Sequence, residues 1–216
     1  MKIRHGIYLP ETDTHFDTML SGGADLVHGK GTYQLKKYRA ALKYVKNKGL
    51  AVDIGGHVGL WSRVMSYDFV LVIAFEPIAI HRQCFELNCK GLGNVQLNAM
   101  AIAETVGELH FNMPIDNTGH THVANEGESC QSAPLDSIIL GAAIDFLKID
   151  VEGFELQVVK GAEQTIRRDR PTIIIEQKPN NAENYGTGRW DAVNLLKSWG
   201  AIERQVISGD HILSWD

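Results

Sequence analysis

The pattern of apolar and polar positions along the chain alternates between two periods. Two apolar runs, at residues 70–75 and 172–175, contain no polar alternation, which is typical of central parallel strands covered on both faces. The segment 35–45 instead repeats apolar residues at helical spacing among lysines. Because strands and helices alternate, we predict an α/β domain.

These periods predict an ordered series of elements. Strands are predicted at residues 7–9, 51–54, 70–75, 95–99, 109–113, 146–150 and 172–176. Helices are predicted around residues 35–45, 60–65, 80–87, 154–168 and 190–199, the last with Trp190 buried. Segments 201–207 and 211–215 flank a Ser-Gly-Asp turn and predict a hairpin. The expected fold is a doubly wound, mostly parallel sheet that ends in a C-terminal antiparallel hairpin.

Two segments have no clear period. Residues 1–30 are predicted to form an N-terminal extension or a pocket cap, ahead of a single domain at residues 31–216. Residues 114–134 are polar and contain glycine, so we predict a mobile substrate loop there. His120 and His122 have the spacing of a metal pair, but no third ligand has a matching spacing, and we predict no metal site.

Length, charge and cysteine content narrow the class of protein. A chain of 216 residues with 44% hydrophobic content fits one domain. The net charge of −5 gives no general attraction to nucleic acid or anionic membranes, and the lysines at 30–48 are interpreted as a solvated helix face. Three cysteines without CxxC spacing indicate reduced thiols, Cys84 on a buried helix face. Without a signal sequence or a membrane-length apolar run, a cytoplasmic protein is expected.

Residues 51–62 combine a buried strand, a glycine-rich turn and a helix start. Gly55, Gly56 and Gly59 permit a tight turn and a close approach of a ligand to the backbone. Free amides at the helix start favour a polar or anionic group. This arrangement predicts a site for a nucleotide-type cofactor, whereas the alternative is an ordinary strand, turn and helix without a ligand.

The spacing and charge of this turn separate the candidate cofactors. A dinucleotide fingerprint beginning at Gly55 would need glycine at the positions of His57 and Leu60, and no Gly-Lys-Ser/Thr ending of a phosphate loop is present. The carboxylate of Asp53 would repel a pyrophosphate but suits an ammonium and a sulfonium, as in S-adenosylmethionine. Glu76 ends the next strand 21 positions after Gly55 (76 − 55), where an acid commonly binds ribose hydroxyls.

Sequence blocks in the second half of the chain resemble FkbM-type methyltransferases. The blocks are residues 134–139, 144–155, 158–162, 170–171 and 174–176. The glycine turn resembles the first motif of that family, and Phe75-Glu76-Pro77 resembles the second. The resemblance covers residues 31–180 and is weak beyond them. It departs at Gly56-His57, where the family usually has alanine and asparagine, and at Gln34, where a glutamate is usual.

The resemblance implies a Rossmann-like class I methyltransferase fold that uses S-adenosylmethionine, most often to methylate a hydroxyl. Asp53, Gly55 and Gly59 would then line the methionine end of the cofactor, Glu76 would bind its ribose, and Ala101 and Ile102 would flank its adenine. The full set of expected cofactor-binding residues is Asp53, Gly55, Gly56, His57, Gly59, Glu76, Pro77, Ala101, Ile102 and Asp150.

Methyl transfer to an alcohol benefits from a general base. The candidates are Asp150, Glu152, Glu176 and His120. Asp150 and Glu152 lie two apart at a strand end, and such clustered carboxylates raise one another's pKa or hold a divalent cation, although the sequence does not indicate one. The alternatives are a helix-dipole role for Glu152 and a strand-end hydrogen bond for Glu176.

Two questions stay open at this stage: the identity of the methyl acceptor, and whether the protein catalyses methyl transfer at all. A sugar or glycan, a lipid-like molecule, a polyketide-like or other small metabolite, a peptide and a nucleic acid are all acceptable as the methyl acceptor, and the small molecule, sugar and lipid-like classes are favoured. Two rival functions are a module that binds adenosylmethionine without turnover and an NAD-dependent oxidoreductase. The glycine spacing at Gly55 disfavours the oxidoreductase.

Overall fold

A computed structural model describes all 216 residues of the chain. The α-helices are α1 (His15–Ser21), α2 (Leu35–Leu42), α3 (Leu60–Met65), α4 (Ala79–Asn88), α5 (Leu135–Ile138), α6 (Glu155–Gly161), α7 (Glu163–Asp169) and α8 (Asp191–Ser198). The first strands are β1 (Lys2–Arg4), β2 (Ile7–Leu9), β3 (Leu26–Val27), β4 (Lys30–Gly31), β5 (Leu50–Ile54), β6 (Leu71–Phe75) and β7 (Val95–Asn98). The remaining strands are β8 (Ala101–Ile102), β9 (Gly107–Asn112), β10 (His122–Ala124), β11 (Glu128–Ala133), β12 (Ile144–Ile149), β13 (Thr172–Glu176), β14 (Ile202–Ile207) and β15 (Asp210–Ser214).

The central sheet has seven strands in the order β14-β15-β13-β12-β5-β6-β7. β15 runs antiparallel to both of its neighbours, and the other pairs are parallel. The predicted doubly wound, mostly parallel sheet with a C-terminal antiparallel hairpin is therefore confirmed. The strand order reverses between β5 and β12, and open α/β sheets bind ligands at the carboxyl ends of such strands.

Successive residues of β5 point to opposite faces of this sheet, and helices cover both faces. Val52 and Ile54 belong to a core of 22 buried residues that also contains residues of α6, α7 and α8. Ala51 belongs to a second core of 13 residues, shared with α2 and α3. Burial on both faces explains why the strand sequences are continuously apolar.

Residues 101–133 build a second sheet, with the strand order β10-β9-β11-β8. The prediction of a loop at residues 114–134 was wrong over most of its length, because a short 3₁₀ turn at Thr118–His120 is followed by β10 and β11. Both strands pair with β9 through backbone hydrogen bonds. Most of their nine residues are polar, and the apolar ones do not alternate regularly with them, so their sequences do not identify them as strands.

The N-terminal residues pack over the glycine turn. Ile7, Leu9, Phe16 and Leu20 form a buried cluster with Val58, Leu60 and Cys84. Cys84 is therefore buried, as its position on the predicted helix suggested.

Two further details differ from the sequence predictions. The helix expected at 154–168 is divided into α6 and α7 at Gly161, where a Cβ would lie 2.0 Å from the carbonyl oxygen of Ala103. Trp190 is 41% exposed because it precedes α8 and lies between Arg189 and the ring of His211.

None of the α-helices has the length and apolar composition that a membrane-spanning segment requires. The cytoplasmic location stays a prediction.

Candidate functional site

A cavity of about 1070 Å³, its open mouth included, lies at the carboxyl ends of the parallel strands. The glycine turn, β8 and the ends of β12 and β13 all contribute lining residues. His15 and Phe16 of α1 and the 3₁₀ turn at Thr118–His120 complete the wall. The cavity is therefore formed by the strand ends of the main sheet, the second sheet and the N-terminal segment.

The glycines of the turn are required by close contacts within the protein. Gly55 has a φ of +81°, and a Cβ there would lie 1.9 Å from the carbonyl oxygen of Asp150. Gly59 has a φ of +83°, and its Cβ would lie 2.9 Å from the ring of Phe85. Gly55 and Gly56 line the cavity, whereas Gly59 does not. The contact predicted between Gly59 and a cofactor is thus replaced by packing on α4.

Asp53 lies beneath the cavity and does not line it. Its fully buried carboxylate accepts a hydrogen bond from the Ser62 hydroxyl at 2.6 Å and pairs with Lys148 Nζ at 3.0 Å. Burial alone would lower the pKa of Lys148, but Asp53 and Asp150 raise it above the ordinary value. The expected direct contact of Asp53 with a cationic ligand is therefore corrected, because Lys148 already balances its charge.

Glu76 is held at the end of β6 by donors from three places. Its Oε2 accepts the His57 backbone N–H at 2.7 Å, and its Oε1 accepts the Ile78 N–H at 2.9 Å and His81 Nδ1 at 3.1 Å. A carboxylate has about four acceptor positions, so acceptor capacity remains on the side that lines the cavity. Pro77 lines the cavity beside it.

The wall next to Glu76 is apolar. Ala101 and Ile102 of β8 are 7% and 3% exposed and line the cavity together with Ile54 and Phe75. This position, between an acidic strand end and apolar side chains, fits a nucleoside whose base is flat and whose sugar carries hydroxyls. The structure thus brings Ala101 and Ile102 to the same end of the cavity as the glycine turn.

His57 lines the cavity in a left-handed backbone conformation with a φ of +46°. Its Nε2 lies 2.9 Å from the hydroxyl of Thr118. Burial, followed by the positive charges of His81 and Lys148, lowers the pKa of His57 well below its ordinary value. The imidazole is therefore neutral at neutral pH.

Asp150, Glu152 and Glu176 meet in the cavity, where one carboxylate oxygen of each lies within 4.8 Å of the others. Burial, then Asp150 and Glu152, raises the pKa of Glu176 to about 9. Burial and Asp150 also raise the pKa of Glu152. At least one carboxyl group of this cluster therefore holds a proton at neutral pH.

Lys178 is the counter-ion of this carboxylate cluster. Its Nζ lies 3.2 Å from Glu152 Oε1 and 2.9 Å from Glu176 Oε2. Burial alone would lower the pKa of Lys178, but Glu176, Asp150 and Glu152 raise it. Three such carboxyl groups have the ligand atoms that a divalent cation prefers, and here the ammonium of Lys178 contacts two of them.

His120 lies at the exposed mouth of the cavity. Burial and the charge of Lys178 lower its pKa, so the ring is neutral at neutral pH. His122 donates its Nδ1 hydrogen to the backbone carbonyl of His120 at 2.9 Å. The two histidines therefore do not present a ligand pair to the cavity.

Several residues of the site were absent from the sequence predictions. Lys148 had a recognisable signal, since a lysine inside the apolar strand 146–149 requires a buried partner. Lys178 is two positions beyond Glu176, and residues at that spacing share a face of an extended chain. Asp13 and Thr118 had no local signal, because they meet His57 only through the tertiary fold.

A parallel sheet with this strand order and a cavity at its carboxyl ends define a class I methyltransferase fold. The sequence profile of the Methyltransferase FkbM domain matches residues 53–203, and the chain belongs to this family. Family membership leaves the oxidoreductase alternative without support.

Solved structures share the fold. The methyltransferase FkbM of Methylobacillus flagellatus KT is 20% identical with a TM-score of 0.53, covering 78% of this chain and 44% of that one. A candidate O-methyltransferase from Klebsiella pneumoniae is 16% identical with a TM-score of 0.53, and the match covers 88% of this chain and 83% of that one. A candidate Streptococcus mutans methyltransferase, solved with S-adenosylhomocysteine, is 11% identical with a TM-score of 0.53, and the match covers 84% of this chain and 96% of that one. The chain thus spans less than half of the Methylobacillus protein. A search of curated proteins found no match.

Proposed function

We propose that the chain is an S-adenosylmethionine-dependent methyltransferase that methylates a hydroxyl of a small acceptor. The observation that carries this proposal is the single cavity that joins two kinds of wall. One wall has the glycine turn, Glu76 and apolar β8, and the other has three carboxyl groups around Lys178. A nucleoside cofactor fits the first, and an acceptor hydroxyl near a proton acceptor fits the second.

The charges along the cavity support a cofactor that is cationic at its reacting end. With Glu176 protonated, the carboxylates of Asp53, Asp150 and Glu152 still outnumber the ammonium groups of Lys148 and Lys178 by three to two. Asp150 lines the cavity, and its Oδ2 is 3.8 Å from Lys148 Nζ. Asp150 therefore takes the place that the sequence suggested for Asp53, facing the sulfonium and the amino group.

When bound, S-adenosylmethionine supplies a methyl group carried on a sulfonium sulfur. The acceptor oxygen would bond to the methyl carbon, the C–S bond would break, and the sulfur would keep the electrons of that bond. The protein holds oxygen, carbon and sulfur in line, which lowers the barrier by up to roughly 7–11 kcal/mol. We propose that Glu152 acts as the general base and accepts the proton of the acceptor hydroxyl. Its raised pKa makes it a stronger base than an ordinary carboxylate, and Asn181 Nδ2 holds it at 2.8 Å.

The other candidate catalytic residues have different proposed roles. Glu176, with a pKa of about 9, keeps its proton at neutral pH and serves as a hydrogen-bond donor to Glu152 or to the acceptor. His120 is neutral at the mouth of the cavity, and its ring accepts a hydrogen bond from the molecule to be methylated. Phe16, Tyr33 and Trp61 add aromatic surface to the cavity. Rings and carboxylates together favour sugars and other small hydroxylated molecules over lipid-like acceptors.

The test is the transfer of a tritiated methyl group from S-adenosylmethionine to a panel of sugars, phenols, small alcohols and matched amines. We expect label in an O-methyl product that resists acid and base. Label only in amines would contradict hydroxyl methylation. Cofactor binding without transfer to any member, in an extract-derived small-molecule panel as well, would favour the non-catalytic binding module instead.

A further inference from the structure

Two buried side chains and the half-buried His57, from distant parts of the chain, form a hydrogen-bonded relay on the cavity wall. Asp13 precedes α1, Thr118 opens the 3₁₀ turn beside the second sheet, and His57 follows the glycine turn. Thr118 Oγ1 is 2.5 Å from Asp13 Oδ2 and 2.9 Å from His57 Nε2. Neither Asp13 nor Thr118 has measurable exposure to solvent.

The donors of this relay fix which nitrogen of His57 carries the proton. Asp13 accepts the backbone N–H of Phe16 on one oxygen and the N–H and hydroxyl of Thr118 on the other. The Thr118 hydroxyl has a single hydrogen, which it donates to Asp13, so its oxygen can only accept from His57. The neutral imidazole is therefore protonated at Nε2 and has its lone pair at Nδ1.

The Nδ1 atom of His57 has no hydrogen-bond partner within the protein, although the ring lines the cavity. The ring is held in place by Phe16, at a centroid distance of 4.8 Å, and by the edge-on ring of His81 at 4.3 Å. Burial keeps the ring neutral by lowering its pKa. The cavity wall thus presents one fixed acceptor nitrogen that the mechanism does not use.

We propose that His57 Nδ1 accepts a hydrogen bond from a ribose hydroxyl of the bound cofactor, and that Thr118 and Asp13 position it by fixing its tautomer. The choice of ribose follows from Glu76, which is the acid at the end of β6 and accepts the backbone N–H of His57 at 2.7 Å. His57 and Glu76 therefore flank the same part of the cavity. This inference rests on the proposed function, since it requires an adenosyl cofactor.

The first test measures S-adenosylhomocysteine binding by calorimetry in His57→Phe. Phenylalanine keeps a ring between Phe16 and His81 but has no nitrogen. His28→Phe is the matched control, because His28 also has a left-handed φ, of +49°, and its ring contacts Tyr67 away from the cavity. We expect His57→Phe to weaken binding about tenfold, the effect of one neutral hydrogen bond, and His28→Phe to bind like the wild type.

Deoxy analogues show whether the lost interaction is with a ribose hydroxyl. The wild type should bind either the 2′-deoxy or the 3′-deoxy form of S-adenosylhomocysteine more weakly, and His57→Phe should lose little further affinity for that same analogue. An equal loss for the parent compound and both analogues would mean that His57 only shapes the cavity, which overturns the proposal. Wild-type affinity in His57→Phe overturns it as well.

The second test reads the tautomer of His57 from the nitrogen NMR shifts of its imidazole. The relay predicts a proton on Nε2 in the wild type and in Thr118→Ser, and a mixture of tautomers with weaker cofactor binding in the isosteric Thr118→Val. A proton on Nδ1 in the wild type contradicts the relay whatever the cofactor. Failure of the wild type to bind S-adenosylhomocysteine would instead overturn the proposed function, and this inference with it.

Discussion

The ammonium of Lys148 lies 3.0 Å from Asp53 Oδ1, and the two side chains are 6% and 0% exposed. The same ammonium donates to the carbonyl oxygen of Gly55 at 3.0 Å, while Ser62 donates to the other oxygen of Asp53. This ion pair joins β5 to β12 at the point where the strand order reverses. It therefore supports the floor of the cavity and keeps the charge of Asp53 away from the ligand.

Removal of Asp53 should destabilise the protein rather than only weaken cofactor binding. Asp53→Ala leaves Lys148 buried with Asp150 as its nearest carboxylate, 3.8 Å away. We expect the free energy of unfolding in urea to fall by about 3–5 kcal/mol, as for other buried pairs that lose one partner. The double variant Asp53→Ala with Lys148→Met should recover most of this loss. A loss below about 1 kcal/mol in the single variant would contradict the account.

The sequence allowed the inner strands β5, β12 and β13 of the central sheet to be predicted because they are buried on both faces and are mainly apolar. β13 was predicted at its observed bounds, 172–176, for this reason. β10 and β11 could not be predicted in the same way, since they are held to β9 by backbone hydrogen bonds and their mostly polar residues form no apolar run. Patterns of side chains do not report on such pairing.

The candidate site was predictable where its residues lie at strand ends, as with Glu76, Asp150 and Glu176. It was not predictable where two segments meet in space. The sequence showed Asp53 as an acid beside a glycine turn, but its pairing with Lys148 depends on the register of β5 and β12. The relay from Asp13 to His57 depends on the N-terminal segment folding back over the turn.

Gly55 should tolerate no side chain. Gly55→Ala places a Cβ against the carbonyl oxygen of Asp150, which would force β5 and β12 apart. The matched control is Gly91→Ala, whose φ of +87° is equally left-handed but whose Cβ would meet no atom within 4 Å. We expect Gly91→Ala to cost about 1–2 kcal/mol in the free energy of unfolding. Gly55→Ala should cost clearly more, and equal losses would contradict the close contact.

Glu176 should make the stability of the protein depend on pH above neutrality. The folded protein holds the proton of Glu176 up to a pKa of about 9, whereas the ordinary value is 4.5. Between these values the folded state binds more protons than the unfolded chain, so the free energy of unfolding falls as the pH rises. We expect Glu176→Gln to flatten this fall between about pH 7 and pH 8.5 in urea titrations.

The control for this pH profile is Glu155, a second buried carboxyl outside the cavity lining. Its pKa is raised to about 7, mainly by burial. The raised pKa of Glu155 acts in the same direction as that of Glu176, but at lower pH. Glu155→Gln should therefore flatten the fall of the unfolding free energy only below about pH 7 and should match the wild type above it. Equal slopes for the wild type and Glu176→Gln above neutrality would contradict a protonated Glu176.

Glu152 should be needed for methyl transfer more than for cofactor binding. Glu152→Gln keeps the size of the side chain and its contact with Asn181 but removes the proton acceptor. We expect kcat to fall about 10²- to 10⁴-fold while the affinity for S-adenosylhomocysteine changes little. Glu104→Gln, which alters an exposed partner of Lys160 outside the cavity, should retain full activity. Full activity in Glu152→Gln would move the base to Asp150 or His120.

The most direct measurement of the central claim is a calorimetric titration of S-adenosylhomocysteine into the wild type and Glu76→Ala. The account predicts one molecule bound per chain at the cavity. Glu76→Ala removes the carboxylate that we propose faces the ribose, and the loss of a hydrogen bond to a charged group should weaken binding about 10- to 100-fold. No binding to the wild type, or equal affinity in Glu76→Ala, would contradict the assignment of this cavity to an adenosyl cofactor.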